Sequence, residues 1–295
     1  MDLKLLQYLT QHPLNRRTRL RNLPGIAKWY FASRALQPCE VIAPFVNKSK
    51  LIVTPGRWGS EANMLCGLHE FVDMSFLLHL LRPADLFCDI GSNIGAFTLL
   101  ASSAIGARSI AFEPIESSFQ SLRKNAAVNN IEKIVDLRQI GLGRERGHLS
   151  FTATQDTMNH VAVDGDTMDR QTVKIDCLDD AIGDEVPTLV KIDVEGWEHE
   201  VIKGAGNTLN QPDLLALILE LNGSGQRYGF SDDTTHGILL NAGFLPYQYL
   251  PFERRLIDAG GKHNRSGNTL YVRDLPAVTA RLQSAPPYTV RQFSI

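Results

Sequence analysis

Short apolar runs alternate with stretches of helical spacing along most of this chain. Buried strands read as short apolar runs, whereas helices repeat apolar positions every three or four residues. The predicted strands are residues 86–90, 109–112, 135–140, 149–152, 172–175, 188–193, 214–220, 244–250 and 269–273. The predicted helices are residues 70–81, 96–105, 117–129, 197–209 and 232–241. This order predicts an α/β fold with a doubly wound, mostly parallel sheet and right-handed crossovers.

The chain divides into three predicted parts. Residues 1–69 are expected to form an N-terminal α/β extension, because prolines interrupt short β-like runs there. Residues 70–275 hold the alternating elements and form the main domain, and residues 276–295 are predicted to be a C-terminal tail. The polar stretch 154–170 is predicted to be a mobile loop.

A basic cluster stands out in the extension. Its members are Arg16, Arg17, Arg19 and Arg21, and the aromatic residues Trp29, Tyr30 and Phe31 follow. Such a cluster either associates peripherally with an anionic membrane surface or is a solvated helix face. One short cluster favours the helix face over a membrane contact.

The turn after the first main-domain strand carries the most informative residues. Asp89, Gly91, Asn93 and Gly95 follow a buried apolar run and precede a predicted helix. Glycines at such a turn let the backbone approach a ligand, and the opening helix presents free N–H groups. Glu113 ends the next strand, about twenty residues further on, where a doubly wound sheet places a carboxylate on ribose hydroxyls. We therefore predict a nucleoside site, with an ordinary strand-turn-helix as the simpler alternative.

The spacing in this turn separates candidate cofactors. A dinucleotide fingerprint has G-x-G-x-x-G, whereas this turn reads D-x-G-x-N-x-G from Asp89 to Gly95. The Asp89 carboxylate would repel a pyrophosphate but suits a cationic ligand. S-adenosylmethionine has a ribose, an ammonium and a sulfonium, and is therefore the predicted cofactor. A nicotinamide-dependent oxidoreductase and a non-catalytic binding module remain the alternatives.

Composition agrees with a soluble enzyme. The chain has 295 residues, 43% of them apolar, enough for a sizeable core. Its net charge of −2 gives no electrostatic case for nucleic-acid binding. No apolar run is long enough to span a bilayer, and the start lacks the pattern of an export signal. We therefore expect a cytoplasmic protein with no membrane span.

Three motifs in this order resemble the FkbM family of S-adenosylmethionine-dependent methyltransferases. They are DIGSNIG at 89–95, FEP at 112–114 and KIDVEG at 191–196, and the resemblance covers roughly residues 70–274. It implies the Rossmann-like class I methyltransferase fold, with a seven-stranded sheet whose last strand is antiparallel. It also implies O-methylation of a hydroxyl on a sugar, a glycolipid or another natural product, so the expected partner is a small-molecule or glycan acceptor.

Two carboxylates are predicted to do the acid-base chemistry. Asp193 and Glu195 follow the fourth strand of the parallel set, at the sheet edge where ligands of open α/β sheets bind. The alternative is that they cap the next helix and stabilise its positive end. Glu220 and His160 are the next candidates for the base. No metal site is predicted, on the expectation that Asp193 and Glu195 point to opposite faces at the strand end.

Overall fold

The computed structural model describes residues 3–17, 29, 39–152, 159–163, 166 and 169–295. The strands are β1 (Val41–Pro44), β2 (Lys50–Val53), β3 (Leu86–Ile90), β4 (Arg108–Phe112), β5 (Val135–Arg138), β6 (Gly141–Leu142), β7 (Gly147–Thr152), β8 (Arg170–Asp176), β9 (Leu189–Ile192), β10 (Ala216–Glu220), β11 (Leu245–Leu250), β12 (Arg255–Asp258), β13 (Asn268–Val272), β14 (Thr289–Val290) and β15 (Phe293–Ser294). The α-helices are α1 (Leu3–Gln11), α2 (Pro13–Arg17), α3 (Trp58–Cys66), α4 (Phe71–Leu80), α5 (Ala96–Leu99), α6 (Glu116–Asn129), α7 (Leu178–Ile182), α8 (Glu198–Lys203), α9 (Gly206–Leu209), α10 (Asp232–Asn241) and α11 (Leu275–Ser284). None of these described helices is long and apolar enough to cross a bilayer.

The central sheet has the strand order β12-β11-β13-β10-β9-β3-β4-β5. Strands β5, β4, β3, β9 and β10 run parallel, and β13 runs antiparallel to both of its neighbours. This order confirms the Rossmann-like, doubly wound class I methyltransferase sheet. The sheet has an eighth strand, β12, beyond the seven expected. The hairpin from β11 to β12 adds it at the edge.

The side chains of successive residues in the central strands point into two separate hydrophobic cores. Phe87 and Ile218 belong to the core on one face, which also contains the helix α4 residue Leu77. Cys88 and Leu217 point into the other core, with helices α7 and α8. Alternation along a strand sends neighbouring side chains to opposite faces, so the sheet lies between two apolar layers. The buried, unpaired thiol of Cys88 agrees with its predicted place in a core strand.

The segment from residue 276 onward packs into the first of these cores. Helix α11 is capped by Asp274, whose Oδ1 accepts a hydrogen bond from the Ala277 N–H at 2.9 Å. Val278 and Leu282 are fully buried there, together with Leu51 of the N-terminal strand β2. The domain boundaries at residues 69 and 275 stay predictions, and this hydrophobic core continues across both.

Local differences from the predicted elements have backbone causes. The predicted helix 96–105 starts as α5 and continues as one π-helical segment, Leu100–Ile105. The predicted helix 197–209 is divided into α8 and α9 at Gly204, where an added Cβ would lie 2.0 Å from the Gly143 carbonyl oxygen. Arg19, Arg21 and most of the predicted loop 154–170 lie outside the described residues.

Replacing Leu282 with alanine tests whether the last segment belongs to the core. We expect the free energy of unfolding to fall by about 2–5 kcal/mol, because a buried leucine leaves a cavity. Leu275→Ala on the same helix is the control, since its side chain is 37% exposed and the change is expected to stay within about 0.5 kcal/mol. Urea titration of both variants decides. If Leu282→Ala lowers the free energy of unfolding as little as Leu275→Ala does, helix α11 does not belong to the core.

Candidate active site

The turn after β3 fits between the ends of two neighbouring strands. The Gly91 and Ser92 amides both donate to the Phe112 carbonyl at 3.0 Å, which ties the turn to β4. Gly91 has φ +78°, and a Cβ there would lie 1.9 Å from the Asp193 carbonyl oxygen, next to β9. A glycine is therefore required both for the left-handed backbone and for the close approach of the two strand ends.

The Glu113 carboxylate fixes this turn by hydrogen bonds to the backbone. Its Oε2 accepts from the Asn93 N–H and its Oε1 from the Ile115 N–H, each at 2.8 Å. The side chain is 5% exposed, and this burial raises its pKa to about 7. Glu113 thus joins the cradle turn to the loop after β4. Its predicted role on ribose hydroxyls stays a prediction.

Of the residues predicted to bind the cofactor, three line a cavity and Gly95 lies outside it. Asp89, Gly91 and Asn93 line a cavity of about 240 Å³, which we call the cradle cavity. Gly95 lies at the start of α5 with φ +85°, and a Cβ there would meet Leu122 Cδ1 at 2.3 Å. Gly95 therefore lets helices α5 and α6 approach each other and supports the turn from outside the cavity.

Two buried acceptor atoms in the cradle cavity lack partners. Asp89 is 1% exposed, and its Oδ2 accepts from the Thr98 N–H at 3.1 Å and the Thr98 hydroxyl at 2.6 Å. Its Oδ1 and the Oδ1 of Asn93 are buried without a hydrogen-bond partner in the described part of the chain. Buried acceptors normally have a donor. A cationic ligand with hydroxyl groups, such as S-adenosylmethionine, supplies such donors, so these residues fit the predicted cofactor.

A buried lysine sits among the acids of the cradle cavity. Lys191 is 3% exposed, and its Nζ donates to Asp193 Oδ2 at 2.8 Å. Burial alone would lower the pKa of Lys191, but the negative charges of Asp193, Glu70 and Asp89 raise it instead. Lys191 is therefore a permanent cation, and Asp193 is its ion-pair partner.

The turn after β9 brings three carboxylates together. Oxygen atoms of Asp193, Glu195 and Glu220 lie within 4.8 Å of one another. Glu195 follows the strand rather than belonging to it, and it has the left-handed φ of +55°. The expectation that Asp193 and Glu195 point to opposite faces is therefore wrong: residues two apart in a strand share a face, and Glu195 lies in the turn after β9. The prediction of no metal loses that argument and stays untested.

Neither acid caps the following helix. The start of α8 has no side-chain cap, and Asp193 is paired with Lys191 instead. Glu198 orders the turn: its Oε1 accepts from the Val194 N–H at 3.0 Å and the Gly196 N–H at 3.1 Å. The alternative that Asp193 caps the helix is thus wrong within the described structure, and the alternative that Glu195 stabilises the positive end of the helix stays untested.

Burial and repulsion by neighbouring carboxylates favour the protonated forms of Glu195 and Glu220 near neutral pH. Burial, and then the charge of Asp193, raise the pKa of Glu195 to about 7. Burial and the neighbouring Asp193 and Glu195 raise the pKa of Glu220 to about 8. Such values lie close to the pH at which a carboxylate is useful as a general base.

Sequence reasoning missed a second acidic pair at the start of α4. The Asn268 Nδ2 donates to Glu70 Oε1 at 3.1 Å and to Asp73 Oδ2 at 3.0 Å. Burial raises the pKa of Glu70 to about 7 and that of Asp73 to about 6. In the sequence these acids read only as favourable charges in a first helical turn. Asn268 belongs to β13, almost 200 residues away, and left no signal near them.

A second, larger cavity adjoins the first. This outer cavity has a volume of about 1050 Å³ and shares His69, Glu70 and Glu220 with the cradle cavity. Its walls come from helix α1, strand β11 and the loop 259–267. Among the described residues, His160 and His199 line neither cavity. The N-terminal extension thus contributes to a site that the sequence placed mainly in the main domain.

Comparisons with known proteins show the family of the chain. The methyltransferase FkbM domain matches residues 89–246, more than half of the chain, so the chain belongs to this family. Similar curated proteins are the hexuronic acid methyltransferase AglP of Haloferax volcanii (34% identical over 136 residues, 45% of this chain and 55% of that protein) and methyltransferase 1 of Beauveria bassiana (33% over 149 residues, 41% and 59%). The chain spans less than two thirds of either relative. The family match supports S-adenosylmethionine as the cofactor.

Solved structures give a more distant likeness. Examples are the precorrin-6y C5,15-methyltransferase of Geobacter metallireducens (12% identity, 69% of this chain and 87% of that chain, TM-score 0.41) and an RNA methyltransferase of Salinibacter ruber in complex with S-adenosyl-L-homocysteine (17%, 68% and 87%, 0.34). The strand order described above, rather than this likeness, defines the fold.

Gly91→Ala tests the cradle turn. The left-handed backbone alone costs about 1–2 kcal/mol, and the collision with the Asp193 carbonyl adds about 1–3 kcal/mol. The control is Gly106→Ala, because Gly106 has φ +90° but open space around its Cβ. We expect Gly91→Ala to lose more stability and to weaken S-adenosylhomocysteine binding, measured by urea titration and calorimetry. Equal losses in both variants would show that the close approach is unimportant.

The buried acids also predict a pH dependence of stability. Glu113, Glu195 and Glu198 have pKa values raised to about 7 in the folded protein, from an ordinary 4.5. Between about pH 6.5 and pH 8 the folded state therefore binds more protons than the unfolded state, so the free energy of unfolding falls as pH rises. His69 is partly buried, which lowers its pKa to about 4, so it is neutral in both states across most of this window. Urea titration at several pH values without cofactor checks this, and a flat or rising profile would contradict it.

Proposed function

We propose that this protein transfers a methyl group from S-adenosylmethionine to a hydroxyl of a sugar-containing acceptor, either a small molecule or a glycan. The observation that carries the proposal is the junction of the two cavities. Glu70 and Glu220 line both of them, so a ligand in the cradle cavity and a ligand in the outer cavity would meet beside carboxylates. The similar hexuronic acid methyltransferase supports a sugar as the acceptor.

The cradle residues are proposed to hold the cofactor by its polar groups. Asp89 and Asn93 offer their unpartnered oxygens, and Glu113 lies at the strand end that suits ribose hydroxyls. When bound, the cofactor supplies a methyl group that is already activated by its sulfonium.

The carboxylates have different proposed roles. Asp193 is occupied by Lys191, so it positions that cation and sets the local charge. Glu195 and Glu220 make no such ion pair in the described structure, and their raised pKa values suit removal of a hydroxyl proton as the new C–O bond forms. Glu195 is the proposed base, and Glu220 stands next to it on the acceptor side.

The alternatives fit the site less well. A nicotinamide dinucleotide would place a pyrophosphate against the Asp89 carboxylate and the other buried acids. A non-catalytic binding module has no need of several buried carboxylates, whose burial is costly. A cytoplasmic location and an acceptor other than nucleic acid remain parts of the proposal, the second supported by the net charge of −2.

Amide variants test the base. Glu195→Gln is expected to lower single-turnover methylation by about 10²–10⁴, the usual worth of a general base, with S-adenosylhomocysteine affinity kept. The parent rate should rise with pH through an apparent pKa near 7–8, because the base must be ionised. The variant should lose that rise. Methyl-labelled cofactor and a mixed glycan extract provide the assay.

Two further variants sharpen the same test. Glu200→Gln is the matched control, because Glu200 lies on helix α8, forms an ion pair with Arg144 and lines neither cavity. Asp193→Asn should change both cofactor affinity and rate, since it leaves Lys191 without its partner. If Glu195→Gln methylates as fast as the parent, the assignment of the base to Glu195 is wrong and Glu220→Gln is the variant to measure next.

A further inference from the structure

The outer cavity has an uneven distribution of charge. Its acids, Glu70, Asp73 and Glu220, cluster where it meets or approaches the cradle cavity. Its lysine and arginine, Lys262 and Arg265, lie on the loop 259–267 between β12 and β13. A cationic cofactor explains the acidic end, because carboxylates there stabilise its charge. The basic end has no counterpart in the proposed chemistry.

Both cations are exposed and available to a ligand. Neither side chain makes a hydrogen bond or an ion pair with a described residue, although Arg265 is close enough to Asp233 to help lower the pKa of that carboxyl. Arg273 and Arg254, in the same half of the chain, instead donate to backbone carbonyls. Lys262 and Arg265 are thus cations on a cavity wall that have no structural task in the described fold.

The loop that carries them is held in place. The His236 Nε2–H donates to the Gly261 carbonyl at 3.0 Å, and His263 Nε2 lies 3.0 Å from Asp233 Oδ1. The Asn264 N–H donates to the Thr269 hydroxyl at 2.8 Å. A pre-ordered loop loses little conformational freedom on binding, which favours a ligand site over a free surface loop.

The space also extends beyond the outer cavity. His263 and Arg265 line a third cavity of about 500 Å³ next to it. With about 1050 Å³ in the outer cavity, the two together exceed the usual range for a drug-sized ligand site. An acceptor longer than one sugar ring can therefore place a hydroxyl near Glu70 and Glu220 and still reach the basic loop.

From this arrangement we infer that the acceptor is an anionic saccharide, whose carboxylate, sulfate or phosphate group binds Lys262 and Arg265 while its hydroxyl reaches the acidic junction. The inference rests on the proposed sugar O-methylation. Both side chains donate charge-assisted hydrogen bonds to such anions, and arginine does so in bidentate fashion.

The test uses the full chain, methyl-labelled S-adenosylmethionine and a glycan extract separated by anion exchange into retained and unretained fractions. We expect label in the retained fraction. Lys262→Ala with Arg265→Ala should raise the KM for that fraction about tenfold or more and leave kcat nearly unchanged. Lys262→Arg should keep most of the affinity, and added salt should weaken binding to the parent more than to the double variant.

Controls and outcomes separate the two proposals. Lys133→Ala with Arg123→Ala removes two exposed cations that line none of these cavities and should change nothing. Sulfatase, phosphatase or carboxyl reduction of the labelled product then identifies the anion. Label in the unretained fraction, or an unchanged KM in the double variant, overturns the anionic acceptor but leaves O-methylation standing. Absence of label from every hydroxyl, with S-adenosylhomocysteine still bound, overturns the proposed function itself.

Discussion

The ion pair between Lys191 and Asp193 is the interaction on which the site depends. Lys191 lies in the central strand β9, is almost fully buried, and has Glu70 and Asp89 close enough to raise its pKa. Breaking a buried ion pair leaves an uncompensated charge and typically costs about 3–5 kcal/mol. Without this cation, the acids at the ends of the parallel strands would repel one another with no internal balance. The lysine therefore allows a strongly acidic centre to exist in the folded chain.

In the proposed reaction, that acidic centre links the cofactor to the acceptor. Asp89 lines the cradle cavity and Glu220 lines both cavities, so one set of charges would serve both ligands. The outer cavity is completed by parts of the chain outside the sheet. Helix α1 contributes Tyr8, whose hydroxyl donates to the His69 carbonyl at 3.0 Å and so fixes the N-terminal segment beside the acids. The extension is thus part of the proposed acceptor site rather than an appendage.

The sequence predicted the parts of the fold that local patterns encode. The strand, turn and helix around Gly91 and the helix α10 lie where the apolar spacing placed them. Edge strand β12 was missed because none of its residues is buried, so it has no strong apolar pattern. Helix α11 was missed because it is stabilised by packing against distant parts of the chain. The site shows the same division. Glu195 was found from its place after a strand, whereas the bonds from Asn268 to Glu70 join residues that only the folded sheet brings together.

The proposed cofactor site requires that buried carboxylates at the strand ends select a cationic nucleoside cofactor. Calorimetric titration of the parent and of Asp89→Asn tests it directly, since asparagine still accepts from Thr98 but loses the charge. The control is Asp136→Asn on the edge strand β5, whose carboxylate pairs with Arg138 at the surface. We expect S-adenosylmethionine to bind the parent and the control alike and to bind Asp89→Asn at least about tenfold more weakly, and we expect NAD not to bind. Equal binding to all three proteins, or binding of NAD, would contradict it.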